Sequence, residues 1–576
     1  MANPKTHILK ALEQRVLLID GAMGTSLHKC DCDLHRDYLD KENCTEILVR
    51  TRPDVIEGIH ESFLDAGADA VETDTFGANK LVFAEFDLVS ETRAINREAA
   101  QIARAVCDKH STSDKPRYVL GSMGPGTKLL TLCHTTWDTM LDSYTEQARG
   151  LIDGGADALL IETCQDIMQV KCAVCACMDA LASAGKDPQQ IPIMVSVTIE
   201  TTGTMLVGTE IAAAATALAG YPIASLGLNC ATGPVEMAEH IGWLAKHWDR
   251  HVSVVPNAGL PALVEGQTVY PLKPAPFAEA VERYVKDFGV SIVGGCCGTT
   301  PEHIRQLAKR VDHCARGRIS TTRAQAGVAS LYAPVDYRQD TSFLIVGERT
   351  NTNGSRKFKR LLSEEDWDGV VSMGRELVRD GSHVLDVCVD YVGRDGARDM
   401  AEVVKRFAQQ VQAPLMIDST QIDVIEVGLK HAPGKALINS ANLEEGEAKF
   451  ARLCALAKRF GAGIVLGTID EDPEEAMAKT ANRKLEIAQR MRDLAVNQHG
   501  LDPADLLFDP LVLPVTTGVE ADRRLALETI EGTRRISRAL PDCQIIVGLS
   551  NVSFGLKPAA RVVLNSVFPT KCSKRG

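Results

Sequence analysis

Short apolar runs alternating with longer helical stretches constrain the fold of this chain more than any other feature. A first series lies at residues 16–19, 70–73, 118–121, 158–161, 193–196, 225–229, 252–255 and 291–294. Helical spacing fills the intervals, as at 53–66, 91–108, 140–153, 234–247 and 301–311. Parallel strands need crossover helices, and eight β–α alternations predict a closed barrel rather than an open sheet. A second series lies at 343–347, 384–389, 415–417, 436–438, 464–466, 506–508 and 545–547, with helical stretches such as 364–380 and 473–498 between. Only the helical stretch 559–568 and a short tail follow it. The α/β chain therefore reads as two tandem (β/α)8 TIM-type barrels, the second lacking its last strand and helix. The expected organisation is a first barrel at 1–315, a linker at 316–341 where periodicity is lost, and a second barrel at 342–576. The open second barrel leaves two sheet edges, so either the chain is truncated or another subunit covers them.

A chain of 576 residues is too long for one core. Its net charge of -13 leaves no basic surplus to neutralise phosphates, which argues against nucleic acid as a partner. No run of about 18 apolar residues is present, and the start lacks an apolar signal, so no membrane is expected. Seventeen cysteines, an odd number at irregular spacing, then point to reduced thiols and a cytoplasmic location.

The C-terminal ends of barrel strands carry the chemistry of such folds. In the first series these ends read Asp20-Gly21-Ala22, Thr73-Asp74-Thr75, Gly124-Pro125-Gly126, Glu162-Thr163, Thr198, Cys230, Asn257-Ala258-Gly259 and Cys296-Cys297. Adjacent cysteines bridge each other poorly, but two thiolates can face one metal ion where the backbone turns. With Cys230 they make three soft ligands and one vacancy, the pattern of a catalytic zinc site. Cys172-x-x-Cys175 with Cys177 lies in a helical run and reads as packing. Cys30 and Cys32 have no further support as a site, and His134 and His240 read as solvated or structural. Asp20 and Glu162 are also what a helix cap or a strand-end turn would use.

Asp20-Gly21-Ala22, Gly227-Leu228-Asn229-Cys230 and Gly294-Gly295-Cys296-Cys297-Gly298-Thr299 resemble the signatures of the homocysteine S-methyltransferase family. That resemblance implies that Cys230, Cys296 and Cys297 ligate zinc and that the homocysteine sulfur takes the open position. It implies that Asp20 and Glu162 hold the amino-acid end, beside Gly21 and Ala22. It places Asn257 at the vacant metal position when substrate is absent. Zinc would deprotonate the bound thiol, because a free thiol is mostly protonated near neutral pH.

The second series ends in Glu348-Arg349-Thr350-Asn351, Asp386, Asp418-Ser419, Asn439-Ser440, Asp509-Pro510 and Ser550-Asn551. Carboxylates and amides suit a neutral heterocycle rich in N–H donors, such as a pterin. Each alone is also a common turn former. The segments 346–351, 417–419, 508–510 and 548–551 resemble the pterin-binding barrel of dihydropteroate synthases and methyltetrahydrofolate methyltransferases. That resemblance implies pterin contacts from Asp418, Asn439 and Asp509, and support from Glu348, Asn351 and Asp386. It sets Asn551, after Ser550, near the methyl-bearing N5 and Arg561 towards the glutamate tail. Where relatives often carry Asn, this chain has Cys388, which receives no role.

A zinc barrel followed by a folate barrel resembles the N-terminal half of cobalamin-dependent methionine synthases. The implied function is a methyltransferase of methionine biosynthesis, moving a methyl group from 5-methyltetrahydrofolate through cobalamin to zinc-activated homocysteine. Asn551, Asp20 and Glu162 would be its catalytic residues. The Asp-x-His-x-x-Gly pattern of a cobalamin module does not occur, so methylcobalamin would come from another module or protein. The alternative is a cobalamin-independent homocysteine methyltransferase using a sulfonium or betaine donor, with a vestigial folate barrel.

Overall fold

The computed structural model describes residues 7–573 except 266, 313, 315–319, 322–324, 475 and 516–523. The chain divides into two compact units, one of residues 1–215 and 222–324, the other of 216–221 and 325–576.

In the first unit the strands are β1 (Leu17–Leu18), β2 (Ala70–Glu72), β3 (Tyr118–Met123), β4 (Ala158–Cys164), β5 (Ile193–Val197), β6 (Ile223–Asn229) and β7 (His251–Val255). An antiparallel hairpin, β8 (Ala262–Val264) and β9 (Gln267–Val269), precedes β10 (Ile292–Val293). The eight-stranded parallel sheet runs β1-β10-β7-β6-β5-β4-β3-β2. A parallel bridge from Ile19 to Ala70 brings its two edges together, so the expected barrel is nearly closed. Every strand of the first series is present. Alternate residues point inward: Leu17, Ile19, Ala70, Tyr118, Leu120, Ala158, Leu160, Met194 and Ile292 share one buried cluster. The helix Ile8–Gln14 puts Ile8, Ala11 and Leu12 on one face, and these join the same cluster at the N-terminal end of the barrel.

The second unit begins with an antiparallel ribbon, β11 (Gly327–Ala329) and β12 (Pro334–Asp336). Seven parallel strands follow in sequence order: β13 (Val346–Gly347), β14 (Val384–Cys388), β15 (Leu415–Asp418), β16 (Leu437–Ala441), β17 (Gly463–Gly467), β18 (Leu506–Asp509) and β19 (Gln544–Ile545). Among the described residues nothing pairs β13 with β19, leaving a half-barrel. Val328 and Tyr337 pack with Val384, Met416, Leu437, Val465 and Leu507, so the ribbon covers the N-terminal end of these strands.

Two helices differ most from expectation. The stretch 473–498 becomes helical only at Ala481, where Thr480 caps the helix through Arg483 N. Before it, the side chains of Asp470 and Asp472 take the N–H groups of Asp472 and Glu474 at 3.1 and 2.9 Å. Such local bonds compete with a helix. The final helix runs Pro558–Ser573, through Pro569, beyond the end expected at 568. No helix among the described residues is long and apolar enough to cross a membrane.

Candidate functional site

Past β6 the backbone turns left-handed at Cys230 (φ 60°) and Ala231 (φ 57°). Non-glycine residues hold such angles only when their surroundings impose them. Here Cys230 N donates to Val255 O at 3.2 Å and Thr232 N to Cys230 O at 2.6 Å. Past β10, a Cβ at Gly294 would meet Ile19 Cγ1 at 2.3 Å, and one at Gly295 would meet Thr299 Cγ2 at 2.5 Å. The glycines therefore let the cysteine turn lie against β1. Cys296 N donates to Pro256 O at 2.8 Å, and Cys297 N to Asn257 Oδ1 at 3.1 Å.

These turns gather Cys230, Cys296 and Cys297 so that their sulfurs all lie within 4.8 Å of one another. Cys230 Sγ and Cys297 Sγ are 3.9 Å apart. Zn–S bonds of about 2.3 Å in a tetrahedron put sulfurs about 3.8 Å apart, so the set fits zinc. Hydrogen bonds from the Cys230 and Cys296 thiols hold the Cys297 thiol well below the ordinary range, and Tyr270 adds a third. Gly298 closes the turn at φ 79°, and a Cβ there would meet Tyr270 Cβ at 2.3 Å. Gly298→Ala is expected to destabilise this unit by about 1–3 kcal/mol and to lower its metal content, read by thermal melting and metal analysis of one preparation. Unchanged values for both would show that the turn tolerates a side chain.

Carboxylates lie deeper in the barrel. Asp20 is buried and accepts Glu72 N at 3.1 Å. Glu162 is buried on β4, accepting Ser122 Oγ and Asn229 Nδ2, the latter at 3.4 Å. Burial holds the Asp20 carboxyl well above its usual range and pushes Glu162 up to about 7. Gly21 and Ala22 run beside the cysteine turn: Gly295 N donates to Asp20 O at 3.1 Å and Ala22 N to Thr299 Oγ1 at 3.2 Å. Glu162, Ser196, Ser225, Asn229 and Ser253 line a cavity together with Glu72. Glu72 is a residue the strand-end reading passed over. Burial, then Glu162 and Asp20, hold its carboxyl well above the usual range. Counting by twos from the inward Ala70 along β2 would have found it. Tyr270 was missed as well, because it sits in a loop after the hairpin. Ile19, Leu120, Leu160, Met194, Val255 and Ile292 complete the cavity lining, so the polar groups sit among the apolar side chains of the barrel interior.

The other cysteine patterns go elsewhere. Cys172, Cys175 and Cys177 are buried along the helix Ile167–Ser183. Among the described residues, Cys230, Cys296 and Cys297 form the one group arranged to hold a metal.

In the second unit, Asn351 Nδ2 donates to Asp386 Oδ2 at 2.8 Å and to Asp418 Oδ2 at 2.9 Å. Asn439 Nδ2 donates to Asp386 Oδ1 at 3.4 Å. Four strand-end residues thus form one hydrogen-bonded group. Burial pushes Asp386 up to about 6 and Asp418 up to about 7, with the Glu348 charge adding to the first and Asp386 and Asp390 to the second. Asp509 ends β18, accepts Leu511 N at 2.9 Å, and is pushed by burial up to about 6. Glu348 is exposed. Ser550 and Asn551 lie on the short helix Leu549–Ser553 beyond β19, and Arg561 Nη2 donates to Ser550 O at 3.4 Å. Cys388 is buried beside Asn353 Nδ2 at 3.7 Å. Asp390, not anticipated, accepts Ser419 Oγ at 2.7 Å and Thr420 N at 3.0 Å. The group gathers two carboxyls and two amides from neighbouring strands.

A parallel barrel with three convergent strand-end cysteines has a counterpart among known families. The homocysteine S-methyltransferase family matches residues 17–311, and the chain belongs to it. The pterin binding enzyme family matches residues 347–576. The chain is 47% identical over 574 residues to "Methionine synthase" of Mycobacterium tuberculosis, covering 99% of this chain and 48% of that protein. It is 45% identical over 578 residues to "Methionine synthase" of Mycobacterium leprae, covering 99% of this chain and 47% of that protein. The chain spans about half the length of the curated relatives it matches. A crystal structure of the homocysteine methyltransferase MmuM from Escherichia coli in metallated form is 24% identical, covers 52% of this chain and 99% of that one, and superposes with a TM-score of 0.43.

Proposed function

We propose that the chain carries two half-reactions of methionine synthesis, one in each unit. The first unit methylates homocysteine; the second removes the methyl group of 5-methyltetrahydrofolate, and cobalamin brought by another module or protein carries it between them. The three-sulfur centre, with the buried carboxyls of Asp20 and Glu162 in the same barrel, is the observation that supports this most. Zinc held by Cys230, Cys296 and Cys297 would supply a lowered pKa to a sulfur in the open position.

The chain's own residues do the remaining work. Asp20 and Glu162 hold the ammonium of homocysteine, with Gly21 and Ala22 forming the adjacent wall and Asn257 bracing the cysteine turn. In the second unit Asp418, Asn439 and Asp509 accept from or donate to the pterin edge, and Glu348, Asn351 and Asp386 orient them. Asn551, beside Ser550, hydrogen-bonds N5, which makes the pterin a better leaving group. Arg561 meets the glutamate tail. Family membership and the half-length likeness to methionine synthases support the pairing of the two sites.

The test is metal analysis of the purified chain followed by two methyl-transfer assays. Expected are about one zinc per chain, homocysteine-dependent demethylation of methylcobalamin, and methyl transfer from methyltetrahydrofolate to reduced cobalamin. Homocysteine methylation from a sulfonium or betaine donor alone would overturn the reading.

A further inference from the structure

Lys484 lies on the helix Ala481–Asp493 and is fully buried. Its Nζ donates to Ala478 O at 2.7 Å, to Leu511 O at 3.2 Å, and to Pro510 O. Three N–H donors meet three carbonyl oxygens, so the buried ammonium is fully satisfied without a direct carboxylate partner. Two of those carbonyls belong to the turn that follows Asp509. Leu511 holds φ at 57°, an angle a leucine keeps only under constraint. Its carbonyl also accepts Thr529 Oγ1 at 2.9 Å, and its N–H donates to Asp509 Oδ1 at 2.9 Å.

The stem of Lys484 has its own slot. A Cβ on Gly532, in the helix Leu525–Ala539, would stand 2.7 Å from Lys484 Cδ. The lysine thus passes beside a bare glycine to reach the turn. No general packing need explains a lysine here, since an apolar side chain would fill the slot without a charge to bury. The Lys484 and Asp509 charges attract each other, and the same attraction reaches Glu528, whose Oε2 takes Ala481 N at 2.9 Å.

We propose that Lys484 is a positioning residue of the second site: by clamping the carbonyls of Ala478, Pro510 and Leu511 it fixes the strained turn that aims the Asp509 carboxylate at the bound pterin. This rests on the pterin reading of the second unit and adds to it the residue that sets Asp509. The lysine acts through the turn and touches no substrate. Without the clamp Leu511 relaxes, the hydrogen bond to Asp509 Oδ1 lengthens, and the carboxylate loses its direction.

The test measures methyltetrahydrofolate binding by equilibrium dialysis for the full chain and for Lys484→Met. Demethylation of methylcobalamin by homocysteine, a reaction of the other unit, is followed in parallel. The expected result is a dissociation constant raised about tenfold or more, with the homocysteine reaction within twofold of the unaltered chain. Gly532→Ala keeps the ammonium but displaces its stem; it is expected to weaken binding in the same direction, and it decides the matter if Lys484→Met fails to fold. Unaltered chain that binds methyltetrahydrofolate, with variants that bind within twofold of it, would overturn the positioning role alone. Unaltered chain that binds no methyltetrahydrofolate would overturn the pterin reading, and this role with it.

Discussion

Cys296→Ala is expected to strip the metal from the first unit and to abolish homocysteine methylation. The three sulfurs converge from two strand ends, and among the described residues no other His, Cys, Asp or Glu joins them in a group that could hold a metal. Four-ligand zinc sites bind with about 10–16 kcal/mol, so each ligand carries about 2.5–4 kcal/mol and its loss costs at least about sixtyfold in affinity. Activity should fall further than affinity, because residual metal held by two thiolates no longer presents the same open position. The second unit supplies the control. Methyl transfer from methyltetrahydrofolate to reduced cobalamin should persist in the variant, since its residues belong to a separate sheet. Metal content and homocysteine-dependent demethylation that both survived the substitution would remove Cys296 from the site.

Asn351→Ala is expected to cripple the second site and to move its pH dependence. One amide donates to both Asp386 and Asp418, and hydrogen bonds to charged groups are worth about 1.5–3 kcal/mol each. Burial already raises these carboxyls, to about 6 and about 7. A ligand that needs ionised carboxylates is therefore bound best above that range, and binding is lost as pH falls through it. Removing a donor that favours the ionised forms raises both values further, by about one pH unit or more at 1.36 kcal/mol per unit. The midpoint of methyltetrahydrofolate binding should move up by that amount, and affinity near pH 7 should fall about tenfold. A binding curve that superimposed on that of the unaltered chain across the neutral range would refute the bridge. Linkage gives a companion sign: carboxyls raised by folding favour the folded state below their unfolded values. That contribution is lost as pH rises through 6 to 7, so the ligand-free second unit should melt lower at pH 8 than at pH 5.5.

Much of the barrel architecture was legible because it is written locally. An apolar run buried on both faces, followed by an amphipathic stretch, needs no knowledge of distant neighbours, and all fifteen runs became strands. Helix ends were less legible where side chains competed for backbone groups, as at Asp470 and Asp472. The cysteine trio and the strand-end carboxylates were readable for a related reason: a residue that ends a parallel strand is delivered to the barrel mouth wherever it lies in the sequence. Glu72, Tyr270, Asp390 and Lys484 escaped because their importance depends on what stands opposite them. Glu72 counts through Asp20 and Glu162, and Lys484 through three carbonyls and a missing Cβ on Gly532.

The amino-acid sequence by itself determined the two strand series, the ligand types and the segment to which each candidate belongs, since periodicity and residue chemistry are properties of neighbours along the chain. Only the tertiary structure decided that sulfurs 67 positions apart stand 3.9 Å from each other. It also decided that one amide spans two acids and that a buried lysine holds the Asp509 turn. Those distances follow from barrel closure, strand register and the absence of a Cβ at particular glycines, which become definite only when the strands pair and their helices pack.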